Sequence, residues 1–343
     1  MTRITTGPAA WCIFSAMLFG VATPASKVLL GPLSPVLLAG LLYLGAAIAV
    51  LPAAVRNRPA RIDRRNVLRL SGAVIAGGVL APVLLLLGLT KASSASVALW
   101  LNFEPIATAL LAWGVFLEHI GRWTWAGAAV VLVSGTILAA PSGFEAGVPA
   151  LLVAAACACW AIDNNLMATI DGFSPAQSTF VKGLVAGIVN IALGLMLGDE
   201  ILPLGAVGVA LAVGAVGYGL SLVLYVGAAQ QLGATRSQML FATAPFFGAL
   251  VAWTVLGEPL TGWQIAGGGG MLVGLLLAAF DKHGHLHHHD PVVHLHPHRH
   301  DDDHHDHDHG HVQPGGWHTH PHRHVPVAHQ HPHQPDLHHR HDH

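Results

Sequence analysis

Charge is scarce in this chain and unevenly spread along it. Charged residues make up 10% of the 343 positions, against about a quarter in soluble domains. Apolar residues make up 53%. Such a chain cannot clothe a water-facing surface, so it is expected in a membrane, with the lipid bilayer as its first partner. Histidine is almost missing from the apolar part: His119 alone precedes Asp281, and the other 25 follow it. Cysteine is limited to Cys12, Cys157 and Cys159, each inside an apolar run. Being two apart, Cys157 and Cys159 leave a helix in opposite directions, so small packing residues are expected rather than ligands or a disulfide. The first apolar run has no small-residue cleavage site, which argues against a removable signal peptide. Without a nucleophile motif or a His/Cys cluster in the apolar part, an enzyme is not expected and no cofactor is required.

What is present is a duplication. Residues 88–140 recur without a gap as residues 228–280. Pro105 returns as Pro245, Ala112 and Trp113 as Ala252 and Trp253, Glu118 as Glu258, Trp123 as Trp263, and Gly127 as Gly267. The same offset of 140 places Ser34 and Pro35 on Ser174 and Pro175. A unit this long exceeds the roughly 20–50 residues of a solenoid repeat. In an apolar chain, a duplicated half-domain points to a transporter.

About 20 residues cross a bilayer as a helix, and ten such stretches are expected, near 9–30, 34–55, 67–89, 93–116, 122–140, 147–169, 175–197, 204–230, 234–256 and 260–280. Arginine marks one side: Arg56, Arg58, Arg61, Arg64, Arg65 and Arg69 crowd the second loop, and Arg3, Arg122 and Arg236 fall on the same side. By the positive-inside rule both termini are cytoplasmic and the protein lies in the cytoplasmic (inner) membrane. Topology explains the arginine loop fully, so no nucleic-acid partner is expected. Five helices per half put the second half into the membrane the opposite way. The expected fold class is therefore an all-α polytopic membrane protein of two inverted five-helix repeats, residues 9–140 and 147–280. A His-rich tail over 281–343 completes the chain. Inverted halves can exchange conformations around a shared midplane site. In the last span Ala266, Gly270, Gly274 and Ala278 form a small-residue stripe suited to close helix contact.

Charged groups inside spans are costly and are default functional candidates. Glu104 sits mid-span with no cation at its depth, which makes it the candidate for proton coupling. Asp163 and Lys182 reach similar depth from adjacent spans, where pairing would neutralise both. Lys27, near a span end, is expected to snorkel to the surface. Asn102, Asn164, Asn165, Asn190, Tyr218 and Ser221 are cavity-lining candidates, each equally suited to bonding a neighbouring helix. Tyr225 shares a face with the last two. Glu118 and Glu258, repeat-equivalent and at span ends, are expected to cap helices.

These features together resemble the drug/metabolite transporter superfamily, in its EamA-type branch. The ten spans, the Ser-Pro pairs opening spans 2 and 7, and Leu256-Gly257-Glu258-Pro259-Leu260 carry the resemblance across residues 9–280. It implies a secondary carrier of small solutes with a central cavity between halves. Many members carry Arg seven residues after the Ser-Pro proline; Lys182 holds that place in the second half and Leu42 in the first. One intramembrane cation thus stands where the resemblance implies two.

The tail has its own chemistry. Too poor in apolar residues to bury a core, it is expected to be disordered. Its closely spaced imidazoles could close around Zn, Ni or Co: His283, His285, His287, His288, His289, His294, His296, His298, His300, His304, His305, His307, His309 and His311. Nine Asp against four Lys or Arg make it acidic with neutral His, and protonating the imidazoles would reverse its sign. Two functions stay open. One is a secondary transporter of a metabolite, amino acid, drug or metal ion, working by alternating access. The other is a transition-metal transporter, or a membrane-anchored metal buffer or sensor, that uses the tail. A homodimer is a candidate assembly.

Overall fold

The structure is a computed structural model of the chain. It describes residues 6–56, 63–116, 121–139, 147–167, 170, 173–198, 203–232, 234–279, 284–288, 293–298, 318–323 and 328–332. Within the first 279 residues the described part is helical. The first repeat holds α1 (Thr6–Leu29), α2 (Pro35–Arg56), α3 (Arg64–Ala73), a π-helical turn π1 (Val74–Leu80), α4 (Ala81–Lys91), α5 (Ser94–Trp100), α6 (Phe103–Phe116) and α7 (Arg122–Ala139). The second holds α8 (Gly147–Met167), α9 (Pro175–Met196), α10 (Leu204–Val213), π2 (Gly214–Leu220), α11 (Ser221–Leu232), α12 (Ala234–Phe241), α13 (Ala244–Thr254) and α14 (Gly262–Ala279). Among the described residues, seven helical stretches are long and apolar enough to cross a membrane, and the helices at 122–138 and 262–277 are shorter but apolar. Fewer stretches pass than the ten expected because polar residues and breaks interrupt the rest: α12, with Arg236 and Gln238, ends at Phe241 before α13 begins.

Helix starts follow from local chemistry. Both Ser-Pro pairs are N-caps with proline at the first helical position, where its missing N–H costs nothing. The Ser34 hydroxyl accepts from the Leu37 N–H (3.2 Å). Ser174 and Gln177 close a reciprocal capping box. Asp63 caps α3 through the Asn66 N–H (2.7 Å), and Thr261 with Gln264 caps α14 in the same reciprocal way.

Two irregularities recur at the offset of the sequence repeat. The π turns π1 and π2 lie 140 residues apart. The break between α5 and α6 at Leu101–Asn102 likewise matches the break between α12 and α13. Pro105 and Pro245 each deny a carbonyl one turn back its helical N–H.

Small residues bring the helices together. α2 packs along α9 through Gly40, Gly183 and Gly187; a Cβ at Gly183 would stand 2.7 Å from the Tyr43 carbonyl oxygen. α7 packs on α14 through Gly267, Gly270 and Gly274, against Ser134, Leu138 and Val131. This corrects the expected stripe, because Ala266 is exposed; the contact face is turned toward Gly267. Large apolar side chains cover the outside, among them Leu151 (70% exposed), Met196 (82%) and Leu204 (89%). In water this would be a liability, whereas against lipid tails it matches its surroundings.

Residues 282–333 form a separate unit. Its described part is two antiparallel ladders, Gly284–His288 with Ala328–Pro332 and Val293–His298 with His318–Arg323. His283, His289, His300, His304, His305, His307, His309 and His311 lie outside the described residues, as do Arg3, Arg58, Arg61 and Glu118.

Candidate functional site

The chain has only three tyrosines, and all three line one pocket. Its walls come from α1 (Phe19), α2 (Tyr43), the start of α6 (Glu104), α8 (Trp160, Asp163, Asn164), α9 (Lys182), π2 (Tyr218), α11 (Leu222, Tyr225) and α12 (Phe241), around a narrow cavity of about 20 Å³. The aromatic rings form a connected cage. Phe19 meets Trp160, Tyr218 and Phe241 at centroid distances of 6.0, 5.4 and 5.4 Å. Tyr43 meets Tyr218 at 5.3 Å, and Tyr225 meets Phe241 at 4.8 Å.

The charged groups are fixed by the helices around them. Lys182 donates to Asp163 Oδ2 in a buried ion pair. At 4% exposure Lys182 does not reach a surface. A side chain at Gly77 would occupy the volume of the Asp163 carboxylate, so glycine there lets π1 approach α8. The Gly77 carbonyl, inside π1, accepts from the Tyr43 hydroxyl (2.6 Å) and the Trp160 indole N–H (3.1 Å). π turns of this kind often sit at functional sites, and here one ties two pocket aromatics to the helix that presses on Asp163. Asp163 Oδ1, although buried, has no hydrogen-bond partner among the described residues.

Glu104 has a different environment. Its Oε1 accepts from Asn164 Nδ2 (2.8 Å) and Gln238 Nε2 (3.0 Å), and the Tyr225 hydroxyl donates to Gln238 Oε1 (2.5 Å). Both bonds fall on one oxygen, which leaves Oε2 free of hydrogen bonds among the described residues. The pocket thus presents an ion pair with an unpaired acceptor and a carboxylate with an uncommitted oxygen. That arrangement can exchange protons or accept the N–H groups of a solute, and the rings supply a flat apolar wall.

Of the sequence-derived candidates, Glu104, Asp163, Lys182, Asn164 and Tyr218 come together here. The others serve helix packing. Asn102 donates to the Leu99 carbonyl (2.9 Å). Asn165 donates to Ala161 (2.9 Å) and Thr108 (3.4 Å) carbonyls, and Asn190 to Gly78 and Val79 in π1 (3.4 and 3.5 Å). Ser221 exchanges bonds with Ser15. Sequence reasoning missed Phe19, Tyr43, Trp160, Phe241 and Gln238; the scarcity of tyrosine was the one signal that pointed at Tyr43.

Lys27, expected to reach the surface, is half-buried at the end of α1. Its Nζ donates to the carbonyls of Leu89 (2.5 Å) and Ala92 (2.8 Å), at the end of α4. Glu258 is a cap, as expected from its position, but of a distant helix: it accepts from Ser94 N (2.9 Å), Ser94 Oγ (2.5 Å) and Ala95 N (3.0 Å), at the start of α5.

The EamA-like transporter family matches twice, over residues 7–140 and 148–280. The chain belongs to the EamA-like transporter family. The two matches divide this EamA-like transporter where its internal repeat divides it. An uncharacterized transporter of Methanothermobacter thermautotrophicus is 27% identical over 291 residues, covering 77% of this chain and 84% of that one. A solved crystal structure shares the fold at a TM-score of 0.62 and 17% identity, over 79% of this chain and 95% of that one. This EamA-like transporter is thus a multi-pass membrane protein whose pocket of charged and aromatic side chains lies among helices of both halves.

Proposed function

We propose that this protein is a secondary carrier of the cytoplasmic membrane that moves a small charged or polar solute by alternating access. In this reading ten spans form two inverted halves, both termini are cytoplasmic, Glu104 couples transport to proton movement, and the Asp163–Lys182 pair opens to receive the solute. The observation that carries it is the pocket: a buried ion pair with an unpaired carboxylate oxygen beside a second carboxylate, inside an aromatic cage on interrupted helices. Costly groups such as these mark solute and proton paths in membrane proteins, and a solute with its own charges could replace the ion pair at little net cost.

The test is growth of a deletion strain on a panel of amino acids, drugs and metal salts, complemented by the wild-type chain and by Glu104→Gln. A solute whose accumulation changes with the wild type and responds to an imposed pH gradient supports the reading. Normal gradient-coupled flux through Glu104→Gln removes the proton role.

The tail supports a second activity, binding of Zn, Ni or Co, on the strength of its 25 histidines. Among the described residues, those of the tail included, no group of three His, Cys, Asp or Glu is placed to hold a metal, so this second activity rests on the number and spacing of the imidazoles alone. Removing residues 282–343 separates a carrier, which keeps its flux, from a membrane-anchored metal buffer, which loses its only activity.

A further inference from the structure

One end of the helical body carries a cluster of polar contacts built from side chains that the repeat mostly replaces with other residue types at its counterpart positions. The turn between α4 and α5 is gripped from three directions. Lys27, at the end of α1, takes two carbonyls of the turn. Glu258, aimed by the positive φ of Gly257 (68°), takes two N–H groups and a hydroxyl at the start of α5. Gln264 of α14 donates to Ser93 Oγ (3.4 Å) and Ser96 Oγ (3.3 Å). Hydrogen bonds to ionised groups are the strong ones, and here they join segments from both halves.

Beneath this grip α1, α5 and α13 meet without side chains between them. A Cβ at Gly248 would stand 2.8 Å from the Gly20 carbonyl oxygen and 3.1 Å from the Ala98 methyl. A Cβ at Gly20 would strike the Ala244 carbonyl. Gly20 directly follows Phe19 of the pocket wall, and Lys27 lies eight residues past Phe19, about 12 Å further along the helix, so the seam adjoins the pocket and the grip lies beyond it.

The offset of 140 shows what the other half has in these places. Gly20, Ala98 and Gly248 correspond to Trp160, Gln238 and Thr108. Trp160 lines the pocket and Gln238 bonds Glu104. Lys27, Gln264, Ser93 and Ser94 correspond to Met167, Thr124, Gly233 and Ala234. Only Glu118, the repeat counterpart of Glu258, keeps its charge. Repeat-related positions have thus diverged, small at the seam on one side and, at Trp160 and Gln238, committed to the pocket on the other.

We propose that Lys27, Glu258 and Gln264 form a polar latch on the α4–α5 turn that holds this end closed, so that the resting carrier admits its solute from the opposite end. The proposal rests on the carrier reading above, and its test needs no known solute. Leu222→Cys places a reporter thiol in the pocket, in the full chain carrying Cys12→Ala, Cys157→Ala and Cys159→Ala. A charged, membrane-impermeant methanethiosulfonate is then applied to sealed membranes of each orientation.

With the latch intact, the reporter reacts from the face opposite the latch about tenfold faster than from the latched face. Glu258→Ala raises the latched-face rate about tenfold, as a shift in population requires, and Glu258→Gln falls between. Lys27→Met with Ser94→Ala, which installs the counterpart residues, acts in the same direction. A Ser94→Cys, Glu258→Cys pair, oxidised before labelling, restores protection of that face in a chain whose yield and elution match the parent, which excludes misfolding as the cause. Unchanged latched-face reactivity in both Glu258→Ala and Lys27→Met/Ser94→Ala overturns the latch and leaves the carrier reading standing. A reporter unreachable from either face in every variant overturns both.

Discussion

Lys182 and Asp163 are buried together, and removing either partner alone leaves a charge without compensation in a low-dielectric interior. Lys182→Met is expected to lower stability by about 3–5 kcal/mol, read as a fall in the unfolding temperature of the detergent-solubilised protein. Replacing both, as Lys182→Met with Asp163→Leu, should recover most of that loss while transport stays absent. If the single and double variants are equally unstable, the pair is not what stabilises this site. Glu104→Gln tests a different property. Glutamine can still accept from Asn164 and Gln238, so the fold should persist with stability within about 1 kcal/mol of the parent, and only gradient-driven flux should disappear. Sequence reasoning found these charged residues because a charge in an apolar run stands out by composition alone. It did not find Phe19, Trp160 or Phe241, which stand among eleven Phe and nine Trp with nothing in the pattern to separate a pocket wall from a lipid-facing ring.

Between helices, contact depends on glycines at crossing points. Gly274 lets α14 approach the Gly127 carbonyl and Val131 of α7. Gly274→Leu should force the pair apart and cost about 1–3 kcal/mol through overpacking, measured as a lowered unfolding temperature with an unchanged pocket. Gly269, where an added Cβ would meet nothing within 4 Å, is the control, and Gly269→Ala should leave the unfolding temperature in place. The span pattern and the Ser-Pro caps were legible because length, hydropathy and capping are local properties. The two π turns were not, since a span apolar on all sides carries no periodicity to tell a wider turn from an α turn. The face of α14 was misjudged for a related reason: small residues flank it on both sides, and the position of α7 decides which of them make the contact. The partners of Lys27 were not legible because they are backbone carbonyls 62 and 65 residues away, which no side-chain pattern announces.

For the whole molecule, the body and the tail should separate in function. Truncation after residue 281 is expected to leave carrier flux within about twofold of the parent, because residues 282–333 form a compact unit of their own. High-affinity Ni or Zn uptake by the purified protein, followed by isothermal titration calorimetry, should be lost with it. Retained stoichiometric metal binding by the truncated chain would place the ligands in the body instead. The duplication was readable from the first residues compared, because identities at a constant spacing need no structure to be seen. What that comparison could not show is where the copies have parted ways.

The divergence of Gly20 from Trp160, and of Ala98 from Gln238, means that neither copy is now a spare. A gene fused to itself begins with two interchangeable pieces, but here each copy supplies residues to the pocket and to the seam that its counterpart no longer carries. Replacing Trp160, Gln238 and Thr108 with the residues found at 20, 98 and 248 would yield a more symmetric protein that has lost one wall of its pocket and one donor to Glu104.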